Sequence, residues 1–106
     1  MSTPANDLEV VDLPSEGRFV IRGARDEAEL VYSLQTDRLI LVHTEVPPAW
    51  SGHGVGGLLV RAALRRARAE GLTIVPWCPY ARKWLKTHPD ETGGVVIDYQ
   101  TPRPAA

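Results

Sequence analysis

The chain has 106 residues, enough for one domain around one core, and its 24% charged and 43% hydrophobic residues are those of an ordinary globular protein. A formal net charge of −1 excludes bulk electrostatic attraction to nucleic acid or to an anionic membrane. No apolar run reaches a membrane span, the N-terminus does not read as a signal peptide, and the single cysteine, Cys78, has no intrachain partner. A reducing cytoplasm suits such a chain.

Residues 1–15 hold two prolines and scattered acids without a sustained period and are expected to form a flexible arm. A domain is expected over 16–90. Arg18 to Arg22 reads as a first strand and Glu29 to Gln35 as a second. The short turn at Thr36-Asp37 predicts an antiparallel hairpin with a third strand, Arg38 to Val46. Its period of two places Leu39, Leu41, His43 and Glu45 on one face and Ile40, Val42, Thr44 and Val46 on the other.

A loop with glycines at alternate positions follows, Ser51-Gly52-His53-Gly54-Val55-Gly56, and then a helix from about Gly54 to Glu70. Val55, Leu59, Val60, Ala63, Leu64 and Ala67 give that helix one apolar face, with Arg61, Arg65 and Arg68 opposite. Gly71 occupies the usual position just past a helix end. A fourth strand, Leu72 to Trp77, then requires a right-handed crossover and a parallel pair inside an otherwise antiparallel sheet. Pro79 begins a second helix, about Pro79 to Thr87, which stops before Pro89. Residues 91–106 form an extension in which Val95 to Tyr99 reads as a short edge strand ahead of a disordered Pro/Ala-rich tail. The fold class is therefore α/β in the broad sense, a mixed and mostly antiparallel sheet with two helices.

A glycine-rich passage from a strand into a helix points several N–H groups into one concavity at the positive end of a helix dipole. Phosphate is the commonest occupant of such a site. A dinucleotide-binding reading fails because the loop lacks an all-parallel context and no acidic residue closes the next strand. The Lys-Ser/Thr pair of a nucleotide-triphosphate loop is absent as well. Glycines that serve only tight turning and close packing are the competing structural explanation.

Val46-Pro47-Pro48 followed by Ser51-Gly52-His53-Gly54-Val55-Gly56 resembles the acyl-CoA-binding motif of the GNAT-type N-acetyltransferase superfamily, Arg/Gln-x-x-Gly-x-Gly/Ala. His43-Thr44-Glu45-Val46-Pro47, the glycine loop, Pro76-Trp77-Cys78-Pro79-Tyr80 and His88-Pro89 together resemble its small single-domain members, over roughly Gly17 to Asp90. The resemblance implies a compact GNAT-type fold for 16–90, with acetyl-CoA as cosubstrate and no metal. It implies that amides from Gly52 to Gly56, with Ser51 and His53 beside them, hold the CoA diphosphate. The backbone around Glu45-Val46 would pair with the pantetheine arm where two parallel strands splay. Ser51 stands where the superfamily usually has Arg or Gln. The helical segment usual after the first strand, and the strands usual after the second helix, are missing from the pattern. An open acceptor side follows, suited to a protein lysine or N-terminus or to a site that a partner subunit completes.

Acetyl transfer to an amine requires positioning, a route for the amine proton and a way to quench the departing thiolate. Cys78 follows the strand that flanks the pantetheine and precedes the Pro79 helix, whose dipole favours a thiolate. It either takes the acetyl group or lines the thioester pocket; a small buried hydrophobe is the plain alternative. His43 and Glu45, about 7 Å apart along one strand face, are the candidate general bases. Tyr80 is the candidate acid for the thiolate, at a position where many superfamily members carry a tyrosine. Arg82, Lys83 and Lys86 are the preferred contacts for the 3′-phosphate, ahead of Arg61, Arg65 and Arg68. Trp50 and Trp77 flank the pocket by position, Trp84 packs one helical turn after Tyr80, and His88 reads as a helix terminator. The function expected is acetyl transfer from acetyl-CoA to an amine, on a small molecule or a protein, by a monomer or weak dimer that engages neither nucleic acid nor membrane. The alternatives are a CoA-binding or acyl-sensing module without turnover, and an interaction domain that has lost the ligand.

Overall fold

The structure, a computed structural model, describes residues 9–104. Five strands form one sheet in the order β1 (Val11–Leu13), β2 (Arg18–Arg22), β3 (Glu27–Gln35), β4 (Arg38–Glu45) and β5 (Thr73–Pro76). Neighbours are antiparallel except β4 and β5, which the helix α1 (Val55–Glu70) joins as a parallel pair. Helix α2 (Pro79–Thr87) follows β5 almost at once, and single 3-10 turns occupy Pro48–Trp50 and Pro89–Glu91. The mixed sheet and both helices agree with the sequence pattern. No helix interrupts β2 and β3, which the short segment around Gly23 to Asp26 connects, with the Gly23 N–H bonded to Asp26 O at 2.8 Å.

The six apolar residues expected on one face of α1 are all buried, Leu59, Val60 and Ala63 completely. They join Phe19, Ile21, Leu30, Leu39, Leu41 and Ile74 of the sheet in one core. Each such large aliphatic side chain contributes about 1.5–3 kcal/mol. Gly71 ends α1 in the left-handed region at φ 68, its N–H returning to Ala67 O. Two small contacts fix the meeting of α1 with α2. A Cβ on Gly57 would approach Trp84 Nε1 at 2.9 Å, and one on Gly56 would meet the Tyr80 ring at 2.6 Å. Glycine at both positions lets the N-terminus of α1 lie directly against the aromatic side of α2.

Four sequence expectations need correction. Val11–Leu13, inside the expected arm, form the edge strand β1 against β2. Asp12 holds it in place: its carboxylate accepts the Tyr32 hydroxyl and an Arg66 N–H at 2.9 Å. The rest of the arm, residues 1–8, lies outside the described residues. Val95 to Tyr99 is reduced to one parallel bridge between Ile97 and Ile74, with Ile74 N–H donating to Val96 O and Asp98 N–H to Ile74 O. The tail expected to be disordered is anchored: Thr101 O accepts the Trp77 indole N–H at 3.0 Å, and Asp98 pairs with Arg38. Ala105 and Ala106, the last residues of that tail, lie outside the described residues.

The fourth correction bears on the site. Val31 pairs with His43 but Tyr32 pairs with Leu41, so β4 carries an extra residue at Val42. This β-bulge shifts the alternation by one. Leu39 and Leu41 face the helices, as does Thr44, whereas His43 and Glu45 turn outward, 58% and 69% exposed at their side chains. The expected grouping of His43 and Glu45 with Leu39 and Leu41 therefore fails. The sharing of a face by His43 and Glu45 holds, with Nε2 and Oε1 3.4 Å apart.

Candidate functional site

β4 and β5 stay paired from Arg38/Thr73 to Leu41/Pro76 and then part. Leu41 O accepts the N–H groups of both Trp77 and Cys78, at 3.0 and 2.9 Å, which turns the chain away into α2. β4 runs on to Glu45 without a partner on that side. A cavity of about 510 Å³ opens here. Thr44 and Val46 form its strand side, Trp50 and the loop residues Ser51, Gly52 and Gly54 its rim, and Val55, Gly56 and Tyr80 its helix side.

The loop suits an anion. Gly52 and Gly54 have φ of 84 and 75, conformations that favour glycine, and a Cβ at either would meet nothing within 4 Å. No side chain caps α1, and its first bond from the N-cap runs from Leu58 N–H to Gly54 O. Among the described residues, no protein acceptor is recorded for the amides of Gly52, Gly54, Val55 and Gly56, which stand at the positive end of a 16-residue helix. The Ser51 and His53 amides are spent internally, on Pro48 O at 3.1 Å and Trp50 O at 3.3 Å.

Cys78 is 3% exposed and is the N-cap of α2. Its Sγ lies 3.1 Å from Thr44 Oγ1, across the gap where the strands part. Tyr80 is 45% exposed, and burial of its ring pushes the phenol up from its ordinary pKa while Arg61 pulls it down. The phenol is therefore held protonated at neutral pH. Thr44 and Tyr80 thus line the pocket, and Cys78 lies behind Thr44, outside its wall. His43 and Glu45 stand on the other face of the sheet, opposite Val31 and Glu29 of β3.

The basic residues are distributed differently from expectation. Arg82 donates to Tyr99 O at 3.1 Å and lies over the Tyr99 ring, and Lys86 lies over the same ring from 5.1 Å. Both are turned to the C-terminal segment. Lys83 borders a shallow groove with Tyr80, Trp84 and Thr87 beside the main cavity. Arg61 grips Glu91 through two bonds of 2.7 and 3.0 Å, and Arg68 donates to Gly93 O and Glu91 O. Trp50 lines the pocket and packs on Gly23, whereas Trp77 does not reach it. His88 ends α2 as expected, its Nδ1 bonded to Trp84 O at 2.8 Å and its ring stacked on Trp84. Thr44 was not legible as a site residue, because only the bulge turns it inward. No group of three metal-ligating side chains comes together among the described residues.

Residues 18–93 match the family profile described as GCN5-related N-acetyl-transferase. The chain belongs to that family. The chain is also similar to curated proteins named NATD1. Protein NATD1 of Gallus gallus is 37% identical over 75 residues, covering 68% of each chain. Protein NATD1 of Homo sapiens is 37% identical over 75 residues, 68% of this chain and 66% of its own, so this chain spans about two thirds of that length. Protein NATD1 of Xenopus tropicalis is 32% identical over 89 residues, 81% of this chain and 82% of its own. The NMR solution structure of a GCN5-like protein from Staphylococcus aureus superposes with a TM-score of 0.68 at 25% identity, over 94% of this chain and 95% of that one. The five-stranded mixed sheet with two helices is thus a fold that this neighbour shares.

Proposed function

We propose that this protein transfers an acetyl group from acetyl-CoA to an amine. The observation that carries the reading is the cavity at the parting of β4 and β5, which joins a glycine loop with free amides to a hydroxyl and a phenol, with a thiol behind the hydroxyl. The amides of Gly52, Gly54, Val55 and Gly56 hold the diphosphate, with the Ser51 hydroxyl in place of the usual longer side chain and His53 at the exposed rim. Lys83 is the cation best placed for the 3′-phosphate. Arg82 and Lys86 serve it only by leaving Tyr99. The unpaired edge of β4 around Glu45 and Val46 receives the pantetheine amides as an added strand. That lays the thioester beside Thr44 and Cys78, and gives the protonated Tyr80 hydroxyl a departing sulfur to steady.

The acceptor amine enters from the face that carries His43 and Glu45, where either can take its proton, directly or through water. With no helix between β2 and β3 this side stays open, which fits an exposed amine on a protein as well as a small molecule. A domain of 16–90 acting in a reducing cytoplasm, as a monomer or weak dimer, completes the proposal. Among the described residues no helix is long and apolar enough to cross a membrane.

Thermal unfolding with acetyl-CoA, beside dephospho-CoA, tests the site. A ligand at about 100 times its Kd adds roughly 2.7 kcal/mol, a rise of several degrees. No rise at millimolar acetyl-CoA refutes the reading, and equal rises with the two ligands exclude a role for Lys83. One observation favours a second reading, a CoA-binding module without turnover: His43 and Glu45 lie outside the pocket. It predicts the thermal shift with no amine acetylated, whereas the enzyme loses turnover but not the shift in Cys78→Ala, His43→Ala or Glu45→Gln.

A further inference from the structure

Three side-chain hydroxyls line the cavity: Thr44 on the strand side, Ser51 in the glycine loop and Tyr80 on the helix side. Ser51 stands at the end where the loop amides gather an anion, and the Tyr80 phenol faces the departing sulfur. That leaves Thr44 beside the acyl group. Its pairing partner on β3 is the fully buried Leu30, and among the described residues its hydroxyl bonds one group, Cys78 Sγ at 3.1 Å. A hydroxyl donates one hydrogen bond and accepts others, whereas a thiol is weak in both roles. Cys78 is 3% exposed and lies behind the wall, so Thr44 Oγ1 is the acceptor within its reach. With a carbonyl in the cavity the stronger pairing is S–H to Oγ1 and the Thr44 O–H to the carbonyl oxygen. His43 and Glu45, the ionisable neighbours of Thr44 on β4, face the other side of the sheet.

We propose that Thr44 is a catalytic residue whose hydroxyl donates to the acyl carbonyl oxygen, and that Cys78 is a positioning residue that aims this hydroxyl. The proposal rests on the acetyl-CoA reading of the cavity. As the amine nitrogen bonds to the carbonyl carbon, the C=O electron pair moves onto oxygen, where the Thr44 O–H meets it. The pair returns as the carbon–sulfur bond breaks, and the sulfur leaves as a thiolate that Tyr80 steadies. The amine proton goes to His43 or Glu45 on the outer face. Thr44 keeps its own proton throughout, and Cys78 forms no bond to carbon. A donor already held in a largely apolar pocket is worth more to such a developing charge than one in water. The bulge at Val42 thus puts the base and the carbonyl donor on opposite sides of one strand edge.

The test needs no acceptor. Infrared spectra of bound acetyl-CoA, isotope-labelled at the acetyl carbonyl, read the hydrogen bond directly, because donation to the oxygen lowers the C=O stretch. The band is expected to rise in Thr44→Val relative to wild type and to stay low in Thr44→Ser. It should rise in Cys78→Ala, where the hydroxyl loses its anchor, and return in Cys78→Ser. Calorimetric titration should show acetyl-CoA binding Thr44→Val about two- to tenfold more weakly than wild type, the scale of one lost hydrogen bond, with CoA itself unaffected. A merely structural role would weaken both ligands alike and leave the band in place. If the valine variant does not fold, Thr44→Ala answers alone. A wild-type band in the hydroxyl-free variants, a serine variant that matches valine, or an equal loss for CoA and acetyl-CoA overturns the role of Thr44. An unmoved band in Cys78→Ala overturns the positioning role of Cys78. Absence of binding by either ligand to the wild-type protein marks instead the failure of the acetyl-CoA reading, and removes the proposal with it.

Discussion

Gly56→Ala separates the two tasks of the glycine loop, presenting amides and admitting the Tyr80 ring. The added Cβ would lie 2.6 Å from Cζ and from the hydroxyl oxygen of Tyr80 and 2.8 Å from Cε2. Ordinary contacts begin at about 3.5 Å, so the ring must retreat by about 1 Å. Tyr80 is 45% exposed and can swing toward solvent at an off-rotamer cost of about 0.5–1.5 kcal/mol. Alanine outdoes glycine within a helix by up to about 1 kcal/mol, less in the first turn. The two effects nearly cancel, and the net change in stability stays within about 1 kcal/mol, no more than about 8 °C in Tm. In a Tyr80→Ala background the clash is gone, and the same substitution should stabilise by about 0.5–1 kcal/mol. The coupling across this double-mutant cycle is thus about 1 kcal/mol, readable by urea unfolding of the four proteins if their slopes agree. An identical effect of Gly56→Ala in both backgrounds would refute the contact and the argument that this glycine serves the ring.

Three further outcomes follow from named contacts. Gly23→Ala puts a Cβ 2.5 Å from Cζ2 of the nearly buried Trp50, so it should cost about 1–3 kcal/mol and shift the tryptophan emission; unchanged stability and emission would remove Trp50 from the pocket wall. Bonds from Thr101, from the backbone at Gln100 and Thr101, and from Arg38 hold the Asp98 carboxyl well below the usual carboxylate range. A depressed folded pKa stabilises fully above the ordinary aspartate value and is lost as pH falls through the folded one. Wild-type Tm should therefore drop more steeply than that of Asp98→Asn below about pH 4, and parallel curves would contradict the role of Asp98 in anchoring the C-terminal segment. Burial and the Asp12 carboxylate push the Tyr32 phenol up to about 12. Its contribution is complete below the ordinary tyrosine pKa, near pH 10, and is lost as pH rises through the folded value. In an ultraviolet titration Tyr32→Phe should remove the last phenol to ionise, and loss of an earlier step would refute the Asp12–Tyr32–Arg66 arrangement.

Local periodicity was enough for both helices and for four of the five strands. A 3.6-residue repeat from Val55 to Ala67, closed by Gly71, has one satisfactory burial, and Arg18–Arg22 and Thr73–Pro76 are strands because β-rich runs stand between turn signals. The glycine loop and its place before a helix were legible too, because Gly52 and Gly54 answer to backbone torsion alone. β1 was not. Three residues carry no period, and their strand depends on Asp12 meeting Tyr32 and Arg66, 20 and 54 positions away.

The bulge at Val42 decided the rest. A two-residue alternation assumes that both strands advance together, and only the pairing of β3 with β4 could insert the extra residue that turns Thr44 inward and His43 and Glu45 outward. The attachment of Arg61 to Glu91 and of Arg82 to Tyr99 likewise joins charges to partners that no helical spacing predicts. The sequence by itself determined the order of elements, the apolar face of α1 and the anion-binding loop, since these are set by residues within a few positions of one another. Tertiary structure alone decided which side chains face the pocket. Thr44 and Cys78 are 34 residues apart in the chain, and only the parting of two parallel strands brings their oxygen and sulfur within hydrogen-bond distance.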